Sequence, residues 1–228
     1  MKYFYLTLIS ISSFLVILLG SLFISTYDKD FYIKQFHINN TYQNQMVIER
    51  NINPEIIADE VIEYLKGSSD NLNRNGYFER KEIIHMKDVL HLFNIGKIAF
   101  VVGIVILGLS LYMLHKTYLR GREYILSIIK SYYIFSMGII GFLILCALNF
   151  SESFIVFHEL LFTNDYWLLN PNTSIIINIM PESFFLSHTI NIFVLFITIS
   201  ITLTIALFIM LYLFNKKLKE DNYANIRK

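Results

Sequence analysis

The chain has 228 residues, 55% of them hydrophobic, with a formal net charge of +1, so its fold must be sought in apolar patterning rather than in bulk charge. A single cysteine, Cys146, excludes an internal disulfide and any zinc-finger spacing, and the near-zero charge gives no basis for nucleic-acid binding. Apolar runs long enough to cross a bilayer mark an integral membrane protein instead of a large soluble core.

The first run, about 3–25, ends at the polar "TYDKD" and lacks a small-residue cleavage site, so it reads as a retained anchor. The loop that follows, about 27–97, is long enough for a small helical cap. Within it, "NPEIIADEVIEYLKG" predicts a helix in which Asn53 caps, Pro54 opens the first turn and Gly67 closes the end. Ile57, Val61 and Leu65 form one apolar stripe on it. The segment 31–38 also reads as helix. After the turn-rich "GSSDNLNRNGY", the stretch "FERKEIIHMKDVLHL" predicts an outer helix over 79–94 that leads directly into the second span, about 98–114.

The third span covers about 129–150 and the fourth about 188–214. Between them, the 151–187 loop has no lysine or arginine, and it is unusually apolar in "FIVFHELLF" and "IIINIMPESFF". It reads as an interfacial segment, with Tyr166 and Trp167 at headgroup level. Lys116, Arg120 and Arg122 in the 115–128 loop, and five cations in the 215–228 tail, place both termini in the cytoplasm. The expected architecture is all-α: a single membrane domain of four transmembrane helices, a helical extracytoplasmic cap from the first loop, and an apolar interfacial loop between spans three and four.

Titratable chemistry concentrates in the outer helix. Glu82, His85, Asp88 and His91 recur every three residues, which lets Glu82 and Asp88 flank His85. A neighbouring carboxylate would orient the imidazole and raise its basicity, as general-base chemistry requires; equally, the pattern suits a solvated amphipathic face. His158 in "FIVFHELLF" is the second candidate, on the same side of the membrane, with burial favouring its neutral form. His37, His115 and His188 carry little functional weight. Glu-x-x-His occurs as a ligand pair in dimetal bundles, but there it appears twice and here once.

The chain contains no Gly-x-Ser-x-Gly elbow, His-Glu-x-x-His helix or glycine-rich phosphate loop. An enzyme built on these residues therefore works without a protein nucleophile. Two histidines suit that condition, one removing a proton from an attacking group and one returning a proton to a leaving group. The competing readings are a membrane chaperone or assembly subunit that binds a partner through helix 79–94, and a metal-dependent membrane hydrolase.

"FERKEIIHMKDVLHL", followed by "FHELLFTNDYWLLNP" and "IMPESFF", resembles the two signatures of the bacterial lipoprotein intramolecular transacylase family, Lit, with all four spans and both outer loops in matching order. One position departs from the pattern, since Lys81 separates Arg80 from Glu82. The resemblance implies transfer of the sn-2 acyl chain of a diacylglyceryl-modified bacterial lipoprotein onto the α-amine of its N-terminal cysteine, giving the lyso-form. It also implies no acyl-enzyme, no metal and no cofactor, and a site at the extracytoplasmic face of the bacterial cytoplasmic membrane. In that reading His85 serves as base and His158 as acid, or the reverse. Arg80, Glu82, Asp88 and Trp167 orient groups or bind substrate, Arg80 or backbone amides facing the oxyanion, and membrane lipid surrounds the acyl chains.

Overall fold

A computed structural model describes residues 2–117 and 122–226, so Arg120, Arg227 and Lys228, which carry part of the charge argument for orientation, lie outside the described residues. The described chain is all-α, without a strand: α1 (Lys2–Thr26), α2 (Lys29–Ile38), a 3-10 turn (Thr41–Gln43), α3 (Gln45–Glu49), α4 (Pro54–Lys66), α5 (Arg80–Thr117), α6 (Arg122–Leu148), α7 (Phe150–Leu161), α8 (Ile175–Ile179) and α9 (Glu182–Ile226). Among the described residues, α1, α5, α6 and α9 are long and apolar enough to cross a membrane.

Helix ends overrun the expected spans. α6 begins at Arg122 instead of about 129, and α9 runs from Glu182 to Ile226 where the apolar run alone covers about 188–214. Hydropathy marks the part of a helix that contacts lipid, while the backbone hydrogen bonds continue through polar residues of good helix propensity. The outer helix and the second span are one element: α5 has 38 residues, roughly 57 Å at 1.5 Å per residue, against a hydrocarbon core of ~30 Å.

The residues group into two compact units. One comprises Met1–Leu19, Ala99–Phe142 and Val194–Lys228. Its apolar contacts are small, centred on Phe14, Ile17, Tyr132 and Phe196 and on Leu6, Ile9 and Leu114. Hydroxyl pairs join its helices: Ser10 with Ser131 at 2.8 Å, Tyr132 with Ser200 at 2.7 Å and Tyr133 with Thr204 at 2.9 Å. A Cβ on Gly103 would stand 2.9 Å from Val16 Cγ2, so this glycine permits the close approach of α5 to α1. Small residues and interhelical hydroxyl bonds are how helices associate where lipid removes the hydrophobic drive between them.

The second unit comprises Gly20–Ile98 and Leu143–Phe193, and it has the larger core. Asp28 caps α2 by accepting from the Asp30 and Phe31 amides; Asn53 caps α4, with Pro54 in its first turn. Gly67 ends α4 at φ +82°, a left-handed conformation that suits glycine. Lys97 of α5 donates to the Leu65 and Lys66 carbonyls, at 2.8 and 3.2 Å, and so places a cation on the negative end of α4. Ile57, Val61 and Leu65 are buried as the stripe predicts, against Phe36, Ile175, Ile176 and Ile179. The apolar part of the 151–187 loop thus supplies five residues, Ile175, Ile176, Ile179, Met180 and Phe184, to a core built mainly from the first loop.

Candidate functional site

The site is assembled within the second unit from the first turns of α5, from α7 and from the segment 162–176 that joins α7 to α8. Glu82 is fully buried, although a carboxylate is costly to bury. Three donors compensate it: the Ser174 hydroxyl at 2.6 Å, the Ile176 amide at 2.7 Å and, in the manner of a capping box, the Glu79 amide at 2.7 Å. This corrects the expectation that Glu82 flanks and orients His85. Its oxygens are taken up by the segment before α8, and no hydrogen bond joins it to His85 among the described residues.

One turn on, His85 is buried, and its Nδ1 has no hydrogen-bond partner. Asp88 does not orient it by a hydrogen bond either; the Asp88 carboxylate accepts from Asn164 Nδ2 at 3.0 Å. Arg80 is exposed at the start of α5, with no hydrogen bond or ion pair to either imidazole among the described residues. Its neighbour Lys81 is the cation that touches the 162–176 segment, donating to the Leu168 carbonyl.

α7 turns His158 inward while Ile155, Val156, Phe157 and Leu160 face outward. The His158 ring lies 5.9 Å from that of His85, centroid to centroid, with the planes inclined by 36°. Aromatic rings surround it: Phe154 at 4.3 Å, Trp167 at 5.1 Å, Phe157 at 5.5 Å and Phe162 at 5.6 Å. Phe162 also packs edge-on against His85 at 5.1 Å. His158 Nδ1–H donates to the Phe154 carbonyl at 2.6 Å, which leaves the Nε2 lone pair as the basic position of the neutral ring. Burial lowers the pKa of His158 below its ordinary value, and the bond to the Phe154 carbonyl offsets part of that effect.

Phe162 and Trp167, which pack on the histidines, form with Asn164, Glu159 and Asp165 the lining of a cleft of about 450 Å³, which neither histidine itself lines. The structure thus brings together His85, His158, Asp88 and Trp167 of the expected residues, moves Glu82 to the base of the 162–176 segment and leaves Arg80 outside. His91 is exposed, and His188 packs among Phe31, Phe184, Ser25 and Thr26 instead. Sequence reasoning missed Phe162, Asn164 and Ser174. Ser174 alone carried a local signal, because it caps the short helix "IIINI". Among the described residues, no three of His, Cys, Asp and Glu gather closely enough to hold a metal ion.

A family model, Lipoprotein intramolecular transacylase Lit, matches residues 7–185. The chain is also similar in structure to the lipoprotein intramolecular transacylase Lit from Bacillus cereus, with a TM-score of 0.75 and 24% identity over 95% of this chain and 98% of that one. Two variants of the Bacillus cereus protein, with a histidine changed to alanine or to arginine, superpose similarly, with TM-scores of 0.73 and 0.74 and 24% identity. They cover 95% and 96% of this chain, and 96% and 95% of their own. Comparison with curated proteins gives no significant match.

Proposed function

The chain belongs to the lipoprotein intramolecular transacylase family and is an acyltransferase, and from that premise we propose a two-histidine transfer of the sn-2 acyl chain within a diacylglyceryl-modified bacterial lipoprotein. The acceptor is the α-amine of the N-terminal cysteine, and the product is the lyso-form. The observation that carries this reading is the pair of buried imidazoles 5.9 Å apart beside a cleft.

The α-amine has a pKa of about 7.7–8.0 and must be neutral to attack. Its nitrogen adds to the ester carbonyl, the nitrogen–acyl bond forms, and the bond from acyl carbon to glycerol oxygen breaks. One proton moves from nitrogen to glycerol oxygen. His158 Nε2 takes it, in the base role, because Nδ1 is held by the Phe154 carbonyl. His85 returns a proton to the glycerol oxygen. As a neutral ring it has an unpartnered Nδ1, which receives the proton that His158 has taken up while Nε2–H gives one up, so both rings end neutral and no imidazolate forms. Donor and acceptor reside in one substrate, so holding them in attack geometry supplies much of the rate, out of the ~7–11 kcal/mol that proximity can contribute. No protein nucleophile is needed.

Asp88 and Trp167 shape the cleft through Asn164 and through the His158 ring respectively. Arg80, exposed, is free to meet the polar part of the substrate. The excess of lysine and arginine in the 115–128 loop and the C-terminal tail supports cytoplasmic termini and a site at the extracytoplasmic face of the bacterial cytoplasmic membrane.

The test is His85→Ala and His158→Ala, each with a co-expressed lipoprotein whose N-terminal peptide is analysed by mass spectrometry. Each change should reduce the lyso-form by about 10²–10⁴-fold, the range of one acid–base group, with the protein still present in the membrane. Normal lyso-form levels in both variants would remove the two-histidine mechanism.

A further inference from the structure

The 162–176 segment is fastened at four successive places to α5 and to Glu79, the residue before it. Asn164 donates to Asp88, Lys81 to the Leu168 carbonyl, Thr173 to Glu79 at 3.1 Å, and Ser174 with the Ile176 amide to Glu82. Three of the four involve groups with appreciable solvent exposure. The Glu82 attachment differs, because the carboxylate is fully buried and so is Ser174. A buried carboxylate whose oxygens accept three donors has one stable arrangement, since breaking any bond strands a charge or a polar group away from water.

Trp167 sits inside the segment so fastened, with its ring 5.1 Å from His158 and 30° from parallel. We propose that Glu82 is a positioning residue that acts through the 162–176 segment: by holding Ser174 and the Ile176 amide, it sets Trp167 against the His158 ring and closes the aromatic surround of the reactive nitrogen. Glu82 therefore serves the reaction from the far end of a tether, and the imidazole it governs is that of His158. The activity part of this inference rests on the proposed two-histidine transfer; the placement of Trp167 does not.

Trp167 is the only tryptophan in the chain, so its emission reads the tether directly. A protonated imidazole in contact with an indole quenches its fluorescence. In the unaltered protein, emission should fall on acidification as His158 takes up a proton, and His158→Gln should remove that fall. The other titratable groups near the cleft are His85 and Asp88 on α5, Glu159 on α7 and Asp165 in the segment. Their contribution is what survives in His158→Gln.

Glu82→Gln and Ser174→Ala should each lose the acid quenching attributable to His158 while keeping the helical circular dichroism. Each should lower kcat by about a hundredfold, as misplacement of a reacting group by an ångström does, with little change in KM. Ser174→Thr, which keeps the hydroxyl, should restore both. Ser174→Ala leaves every charge in place, so it remains informative where Glu82→Gln folds poorly. Unchanged quenching in Ser174→Ala and Glu82→Gln, or lost quenching with full activity, overturns the proposal. If His158→Ala proves active while the quenching pattern holds, the tether stands and the proton-transfer scheme alone is wrong.

Discussion

His158 Nδ1–H donates to the carbonyl of Phe154, one turn earlier on the same helix, at 2.6 Å. That bond aims the other ring nitrogen away from α7 and determines which atom of the ring can act as base. It also couples the chemistry to the helix backbone, so the ring cannot rotate without leaving its own Nδ1–H unpaired.

The pH dependence follows from the burial of this ring. The folded pKa lies below the ordinary histidine value of about 6.5 because burial disfavours the charged form. The unfolded chain therefore binds more protons than the folded chain between those two pKa values. Stability from this group is full above pH ~6.5 and is lost as the pH falls towards the folded pKa. In kcat/KM, the substrate amine should give one limb near pH 8, and His158 should give a second limb below ~6.5. Phe162→Leu, which uncovers both imidazoles, should move the lower limb up towards 6.5 and leave the amine limb in place. A rate–pH profile on both proteins measures this.

Asn164 and Asp88 form a pair that can be exchanged. Asn164→Asp places two carboxylates at 3.0 Å and should reduce both activity and thermal stability. Asp88→Asn loses a charge-assisted bond, worth about 1.5–3 kcal/mol when well formed. The double exchange, Asp88→Asn with Asn164→Asp, restores one charged and one amide partner and should recover most of the loss. A double-mutant cycle in unfolding midpoint reads the coupling.

Ile179 is completely buried where α8 meets the first-loop helices. Ile179→Ala should cost about 2–5 kcal/mol, from lost apolar transfer and the cavity left behind. Ile38, 59% exposed at the end of α2, should tolerate the same change within ~0.5 kcal/mol. Unfolding midpoints of the two variants, measured in one detergent, make the comparison.

Cys146 lies half-buried in α6. Cys146→Ala should keep full conversion, measured as lyso-form product. Loss of conversion would instead indicate an acyl-cysteine intermediate.

Much of the architecture was legible in one dimension. The four spans, the α4 boundaries at Asn53 and Gly67, and the continuity of the outer helix with the second span all follow from hydropathy, capping chemistry and a period near 3.6, which are properties of neighbouring residues. His85 and His158 could be singled out for the same reason, as ionisable groups next to long apolar runs. The ends of α6 and α9 were less legible, because a helix does not stop where its lipid contact stops.

What folding alone decided was the set of partners for those ionisable groups. Glu82 meets Ser174 and Ile176 across 92 and 94 residues, and Asp88 meets Asn164 across 76. Three-residue spacing on α5 suggested that both carboxylates serve His85, and spacing fixes only which residues share a side. Each of these carboxylates bonds the donors that packing brings within about 3 Å, and those donors came from a distant loop whose position no local pattern encodes.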